Sequence, residues 1–343
     1  MNILALTFNE LCSEVADRYG KGRYYTATLY REVMKKGNRD LSTVPEFDAH
    51  PLIASRMMND MYFPDCRVSD MRVAAAVKFA ITLHDGNVIE SVIIPAHDRT
   101  TLCVSSQAGC KMGCAFCMTA MSGFIRNLSV EEIVYQVFAA RFELGYAVDT
   151  IVFMGMGEPL DNVDVVVQAI RVLSDQRGFD IACSDITVST AGHIEGLKTL
   201  ALHNMPRLRL AISINAPTSD LRTKLMPINK RFPLDELMSY LATYPLCRGG
   251  VYFLEYVLLA GINDSEAMAE KLAECVQGLP VRINLIVYNQ NDALPYRPPL
   301  PEQIERFRNR LVAYKLFVRI RKSAGETIEA ACGQLRAALS IAQ

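Results

Sequence analysis

Apolar positions in the first part of the chain recur at helical spacing. The stretches "TFNELCSEVADRYG" and "RYYTATLYREVMKKG" each place apolar residues three and four apart, and Gly20 and Gly37 punctuate their ends. They predict a small helical N-terminal domain over residues 1–70. In "AAAVKFAITLHDGNVIESVIIPA" two β-rich runs flank His84-Asp85-Gly86-Asn87, and Asp-Gly is a strong turn signal. This predicts a β-hairpin extension over residues 71–100. Beyond it the pattern becomes strand, helix, strand. The strand candidates are "TLCVSS", "TIVFMGMG", "DITVSTAG", "RLRLAISINA", "GVYFLEYVLL", "RINLIVYN" and "LFVRIRK". Amphipathic stretches such as "SVEEIVYQVFAARFELG" and "SEAMAEKLAECVQGL" lie between them. Alternation of this kind implies an α/β fold with a parallel sheet. Six or seven units are too few for a closed eight-stranded barrel, so residues 101–343 are expected to form an open, partial (β/α)6-type barrel. Its chemistry would sit at the carboxyl ends of the strands.

Composition adds limits. The chain has 343 residues and is 50% hydrophobic, enough for one large core and a smaller satellite. A net charge of -1 excludes nucleic-acid binding by bulk charge and leaves local patches open. No apolar run nears the roughly 18 residues of a membrane span, and no signal peptide is evident, so a soluble cytoplasmic protein is expected. Ten cysteines are too sparse for a disulfide scaffold in a chain of this length.

Three of those cysteines stand in "CKMGCAFC", as Cys110, Cys114 and Cys117. Cys103 lies just upstream, in the first barrel strand. The bland reading, buried small hydrophobes, fits Cys12, Cys66, Cys183, Cys247 and Cys275. It fits poorly where four cysteines crowd together. A structural zinc site would need four protein ligands, with Cys103 as the fourth, but Cys103 falls in a strand while the other three share a loop. The remaining reading is a four-iron cluster in which three thiolates bind three irons and the fourth iron takes a non-protein ligand.

The spacing C-x3-C-x2-C, with Phe116 before the last cysteine, resembles the radical S-adenosylmethionine (SAM) enzymes. Further segments narrow the likeness. "CVSSQAGCKMGCAFC", "FMGMGEPL", "ITVSTAG", "LAISINAP", "LMPINK", "INLIVYN" and "AACGQL" together resemble the RlmN/Cfr family of RNA adenosine methyltransferases, from about residue 70 to 337. The resemblance implies a radical-SAM barrel, a [4Fe-4S] cluster on Cys110, Cys114 and Cys117, and two molecules of SAM per turnover. It implies that Gly157 and Glu158 bind the methionine end of SAM, and that Ser189, Ser213, Asn215 and Asn289 contact the same molecule. Many family members carry histidine at the position of Asn215. Asparagine keeps a donor and an acceptor there but cannot titrate.

The resemblance also implies unusual roles for two cysteines. Cys332 takes a methyl group from one SAM by displacement, which suits a thiolate. Hydrogen removal from that methyl by a 5′-deoxyadenosyl radical lets the carbon add to the adenine ring. Cys103 then attacks the Cys332 sulfur, leaving a disulfide and releasing methylated RNA. Glu90 matches a family carboxylate assigned as proton acceptor, with Cys103 as a competing candidate. Without the resemblance, Glu90 reads as a solvent-facing strand residue.

Two runs suit an RNA partner. Arg18, Lys21, Arg23, Arg31, Lys35, Lys36 and Arg39 share a segment with the single acid Glu32, and Tyr24 and Tyr25 interleave with them. The segment from Arg306 to Lys322 is basic with no acid. Basic residues contact phosphates and aromatics stack on unpaired bases, although either run also reads as a solvated helix face. The expected reaction is methylation of carbon 2 of an adenosine in 23S ribosomal RNA, with transfer RNA as a further substrate. The alternatives are Cfr-type methylation of carbon 8, a related enzyme acting on another RNA, and a non-catalytic zinc-ribbon RNA-binding protein. A reductant such as flavodoxin or ferredoxin and a monomeric state complete the expectation.

Overall fold

The computed structural model describes residues 1–321 and 333–335. The chain opens with helices α1 (Phe8–Tyr19), α2 (Arg23–Lys36) and α3 (Pro51–Asp60). Thr7 begins α1 with a reciprocal capping box to Glu10, and Gly20 ends it at φ +62°. Gly37, at φ +67°, closes α2 in the same way. Both glycine stops fall where the sequence places them.

One ten-stranded sheet follows. Strands β1 (Arg67–Val73), β2 (Val77–Thr82), β3 (Val88–Pro95) and β4 (Thr100–Cys103) pair antiparallel in chain order. The β2–β3 pair is the expected hairpin, turning at Asp85-Gly86. Next come a short ribbon, β5 (Gln107–Gly109) with β6 (Phe124–Asn127), and helices α4 (Met118–Met121) and α5 (Val130–Phe138). The parallel part then runs β7 (Thr150–Phe153), α6 (Val163–Leu173), β8 (Ile186–Thr190), α7 (Ile194–Leu202), β9 (Arg209–Ser213), α8 (Ser219–Leu225), α9 (Leu234–Thr243) and β10 (Tyr252–Leu258). It ends with α10 (Glu266–Cys275), β11 (Val281–Val287), α11 (Pro301–Ala313) and β12 (Phe317–Arg321).

The sheet order is β1-β2-β3-β4-β7-β8-β9-β10-β11-β12. From β4 onward every neighbour is parallel. All seven strand candidates are present, joined by helical crossovers, and among the described residues no pairing joins β12 back to the start of the ladder. Apolar residues of the strands and of one face of each helix form a continuous core. The N-terminal helices share it. The amide of Phe8 donates to Asp175 Oδ2 at 2.8 Å, and the Arg39 guanidinium lies over the rings of Phe63 (4.0 Å) and Phe138 (4.9 Å).

Candidate functional site

The three clustered cysteines sit in a loop held at both ends. After β4 the chain turns through buried Ser105 and Ser106 into the β5–β6 ribbon, and the loop from Cys110 to Cys117 bulges from it. Gly109 is needed at the root: its φ is +78°, and a Cβ there would lie 1.9 Å from the carbonyl oxygen of Gly123. The amide of Cys110 donates to that same carbonyl at 2.8 Å. The amide of Ala115 donates to the carbonyl of Leu225 on α8 at 2.9 Å, and Lys111 pairs with Asp161 at 2.7 Å. The loop is therefore tied to the ribbon, to α8 and to the segment after β7.

A cleft opens between this loop and the carboxyl ends of the parallel strands. Cys110, Cys114, Phe116 and Cys117 form one wall. The β7 end supplies Gly155, Gly157 and Glu158, the β8 end Ser189, Thr190 and Ala191, and the β9 end Ser213 and Asn215. Glu255 and Val257 of β10 and Ile286 of β11 complete it, with Gly333 and Leu335 from near the end of the chain.

The glycines of "MGMGEP" are demanded by close approach. A Cβ on Gly155 would sit 2.7 Å from Ser105 Oγ and from the backbone of Val104. Gly157 has φ +103°, and a Cβ there would meet the Gln107 side chain at 2.6 Å. The next residue, Glu158, is 2% exposed. Its amide donates to Gln107 Oε1 at 2.8 Å, and its carboxylate accepts from the amides of Leu160 (3.1 Å) and Ala191 (2.7 Å). Burial pushes this carboxyl up to about 7. Glu158 thereby fastens the β7 end to the β8 end.

Asn215 takes the left-handed conformation, φ +56°, which asparagine tolerates better than most residues. Its Oδ1 accepts from the amide of Val257 at 2.8 Å, and its Nδ2 lies 3.2 Å from Met226 Sδ. Both ends of the amide are thus engaged in joining β9 to β10 and to the residue after α8.

Burial pushes the Cys110 thiol up to about 12 and the Cys114 thiol well above its ordinary value, and neighbouring thiols add to both shifts. Three thiolates this close need a cation to ionise together. An all-sulfur donor set suits iron–sulfur chemistry. In a cluster each thiolate binds a different iron, so the donors need not converge on a point. Among the described residues no three His, Cys, Asp or Glu side chains are grouped to hold a single metal ion. The residues present fit a cluster, with Cys110, Cys114 and Cys117 as its holders.

Other expected site residues lie elsewhere. Cys103 is buried in β4, opposite Val92 of β3 and Val152 of β7, and does not line the cleft. It is not brought to the three loop thiols as a zinc ligand would be. Glu90 lies on β3 and pairs with the buried Lys78 at 3.0 Å. Asn289 is buried just past the β11 end and is not a lining residue. Cys332 lies outside the described residues. Its successor Gly333 does line the cleft, and the carbonyl of Gly333 accepts from the amide of Met118 at 2.7 Å.

Sequence reasoning missed Glu255, Thr190 and Arg222. Glu255 is a buried carboxylate on the cleft wall, held by Asn284 at 2.8 Å and Arg321 at 3.4 Å, and burial raises its pKa. One signal was available: it is the single charge in the apolar run "YFLEYVL". Of the remaining cysteines, Cys12, Cys66, Cys183 and Cys275 are half-buried and pack against the core, as small hydrophobes do, whereas Cys247 is exposed.

The basic runs are mostly engaged in ion pairs. Arg18 pairs with Glu14, Arg31 with Glu32 and Glu46, Lys36 with Glu32, and Arg39 with Glu143. Arg308 pairs with Glu305 and Arg310 with Glu270. Exposed pairs of this kind are weak and exchange readily for other anions. Tyr24 is exposed beside Tyr25. No helix among the described residues is long and apolar enough to cross a membrane.

Comparison with known proteins gives a consistent picture. The family model of the Radical SAM superfamily matches residues 104–272. The chain is 41% identical over 338 residues to a dual-specificity RNA methyltransferase RlmN of Desulfotalea psychrophila, covering 94% of this chain and 91% of that protein. It is 36% identical over 342 residues to the RlmN of Geotalea uraniireducens, covering 99% and 97%. The crystal structure of a radical SAM methyltransferase from Sphaerobacter thermophilus superposes with a TM-score of 0.89 at 35% identity, covering 98% of this chain and 99% of that one.

Proposed function

The chain belongs to the RlmN family of radical SAM methyltransferases, and from that premise we propose that it methylates carbon 2 of an adenosine in 23S ribosomal RNA and in transfer RNA, through an S-methylcysteine on Cys332. The supporting observation is the anchoring of Gly333. The residue after Cys332 is hydrogen-bonded to the residue after Cys117 and lines the same cleft as the three thiols. The neighbour of the proposed methyl-bearing residue thus shares a cleft with the three thiols. The relatives act on RNA by their names, which supports RNA as the substrate here.

In this reading Cys110, Cys114 and Cys117 hold the [4Fe-4S] cluster. When bound, the cluster supplies one electron to the SAM sulfonium, drawn in turn from a reductant such as flavodoxin or ferredoxin. Gly157 lets the backbone at the β7 end approach the methionine end of SAM, and Glu158 fixes that backbone against β8. Ser189, Ser213 and Asn215 present polar atoms along the strand ends, with Asn289 in support from the β11 end.

Two SAM molecules are consumed per turnover because one gives the methyl group and the other the radical. The Cys332 thiolate displaces the methyl from the first, forming a sulfur–carbon bond and leaving S-adenosylhomocysteine. The 5′-deoxyadenosyl radical from the second SAM would remove one hydrogen from that methyl, and the carbon radical would add to adenine. Loss of one electron, which the oxidised cluster would accept, and of the ring proton to a base would then restore aromaticity. Glu90 is the proposed acceptor, and it stands 3.0 Å from the buried Lys78 ammonium. The Cys103 thiolate then attacks Cys332 sulfur. A sulfur–sulfur bond forms, the sulfur–carbon bond breaks, and the departing carbon takes up a proton to leave as the methyl group of the RNA. The target base must be unpaired or extruded to enter the cleft. The segment from Arg18 to Arg39, with Tyr24, is the proposed RNA-contacting face, and the enzyme is proposed to work as a cytoplasmic monomer.

The test is nucleoside analysis of RNA from a strain lacking the protein, before and after complementation. Restored 2-methyladenosine supports the proposal. Restored 8-methyladenosine would assign the Cfr-type reaction instead, and no change in adenosine methylation would refute both.

A further inference from the structure

Arg222 on α8 is 0% exposed, and no carboxylate pairs with it among the described residues. Its Nη1 donates to Asn229 Oδ1 at 3.0 Å, and its Nη2 donates to the carbonyls of Ala191 (2.6 Å) and Ser213 (3.3 Å). Its Nε is buried with no hydrogen-bond partner. Burial draws its pKa down to about 10, so it remains charged at neutral pH. A buried guanidinium surrounded by neutral acceptors is an expensive arrangement, and buried charges are normally paired. Among the described residues no counter-ion is supplied.

The surroundings indicate where one would be. Ala191 and Ser213, whose carbonyls the guanidinium binds, both line the cleft. The amide of Ala191 also donates to Glu158. One turn along α8, the carbonyl of Leu225 accepts from Ala115, the residue after Cys114. Arg222 therefore stands on the helix that anchors the loop beside Cys114.

We infer that Arg222 is the fixed counter-charge of the iron–sulfur cluster held by Cys110, Cys114 and Cys117, and that it raises the cluster's reduction potential while holding the β8 and β9 strand ends. The inference rests on the cluster reading above. Three thiolates bring negative charge to the site, and one-electron reduction adds more. A positive charge close by, in a poorly screened interior, favours the reduced form. Arginine suits the place because its fork reaches the Ala191 and Ser213 carbonyls and Asn229 together, which a lysine ammonium does not.

The test is a dithionite redox titration of the anaerobically prepared, cluster-loaded protein, followed by electron paramagnetic resonance. Three variants separate charge from structure. Arg222→Gln removes the charge. Asn229→Asp keeps the arginine and cancels its charge from 3.0 Å away. Arg222→Lys keeps the charge and loses the fork. With iron content equal to the parent's, Arg222→Gln and Asn229→Asp should shift the potential in the negative direction, and Arg222→Lys should stay near the parent. An unchanged potential in iron-replete Asn229→Asp would overturn the inference, even if Arg222→Gln failed to fold. A parent protein that takes up no iron and gives no cluster spectrum would overturn the cluster reading itself, which is a different result.

Discussion

The amide of Met118 donates to the carbonyl of Gly333 at 2.7 Å, binding the residue after Cys117 to the residue after Cys332. The Thr119 hydroxyl repeats the contact by donating to the carbonyl of Leu335 at 2.7 Å, across 216 positions of sequence. Two chemically loaded segments from opposite parts of the barrel are thereby joined by a short ladder. Thr119→Val keeps the shape and removes the donor, leaving a buried carbonyl unsatisfied at a cost of about 1–3 kcal/mol. Transfer of labelled methyl from SAM to Cys332 should fall several-fold while iron content holds. Unchanged labelling would mean that this ladder does not position the segment.

Gly155→Ala tests the close approach of β7 to β4. The new methyl would lie 2.7 Å from the backbone of Val104, which cannot swing aside as a flexible side chain would. Overpacking of this kind costs about 1–3 kcal/mol. Urea denaturation should show that loss, and SAM affinity measured by equilibrium dialysis should drop with it. A variant as stable and as tightly binding as the parent would contradict the packing argument.

Asn215→Ala should leave the amide of Val257 without its acceptor and place alanine in a left-handed conformation. Both effects destabilise, together by about 2–4 kcal/mol. Asn215→His restores an acceptor, so it should recover part of the stability and of the SAM affinity. If histidine proves no better than alanine by calorimetry, the hydrogen bond to Val257 is not what the position requires.

Glu158 gives a signed pH dependence. Its carboxyl titrates near 4.5 in the unfolded chain and is pushed up to about 7 by burial in the fold. Between those values the folded state holds a proton that the unfolded state has released. The stability of the metal-free protein should therefore fall as pH rises through this window, with Glu158 contributing up to about 1.4 kcal/mol per pH unit. Glu158→Gln cannot titrate and should remove that contribution. Identical slopes for parent and variant in urea melts across the window would exclude it.

The parallel strands were legible because each is a continuous apolar run, such as "TIVF" or "RLAIS", followed by an amphipathic helix. Strand β1 was not, since "RVSDMRV" is mostly exposed at the sheet edge and has no apolar face to betray it. The β5–β6 ribbon escaped notice because its strands are only three and four residues long. Its glycine, Gly109, stood in plain view, but the clash that explains it is with Gly123 and needs the turn to be built. Arg222 sits in "SDLRTKL", which reads as an ordinary solvated helix, and its burial is decided by β8 and β9. The basic runs show the converse. Their positive charge was visible, but partners such as Glu143 and Glu270 are remote in sequence, so local counting could not show how much of that charge is neutralised.

Mass spectrometry of Cys103→Ala protein, produced with a cluster-assembly system and exposed to cellular RNA, tests the central claim most directly. If Cys103 releases the product, the variant should retain a nucleotide covalently bound to the Cys332 peptide, absent from the parent and from a Cys103→Ala, Cys332→Ala double variant. An unmodified Cys332 peptide in iron-replete, RNA-exposed Cys103→Ala protein would contradict methylation through that cysteine.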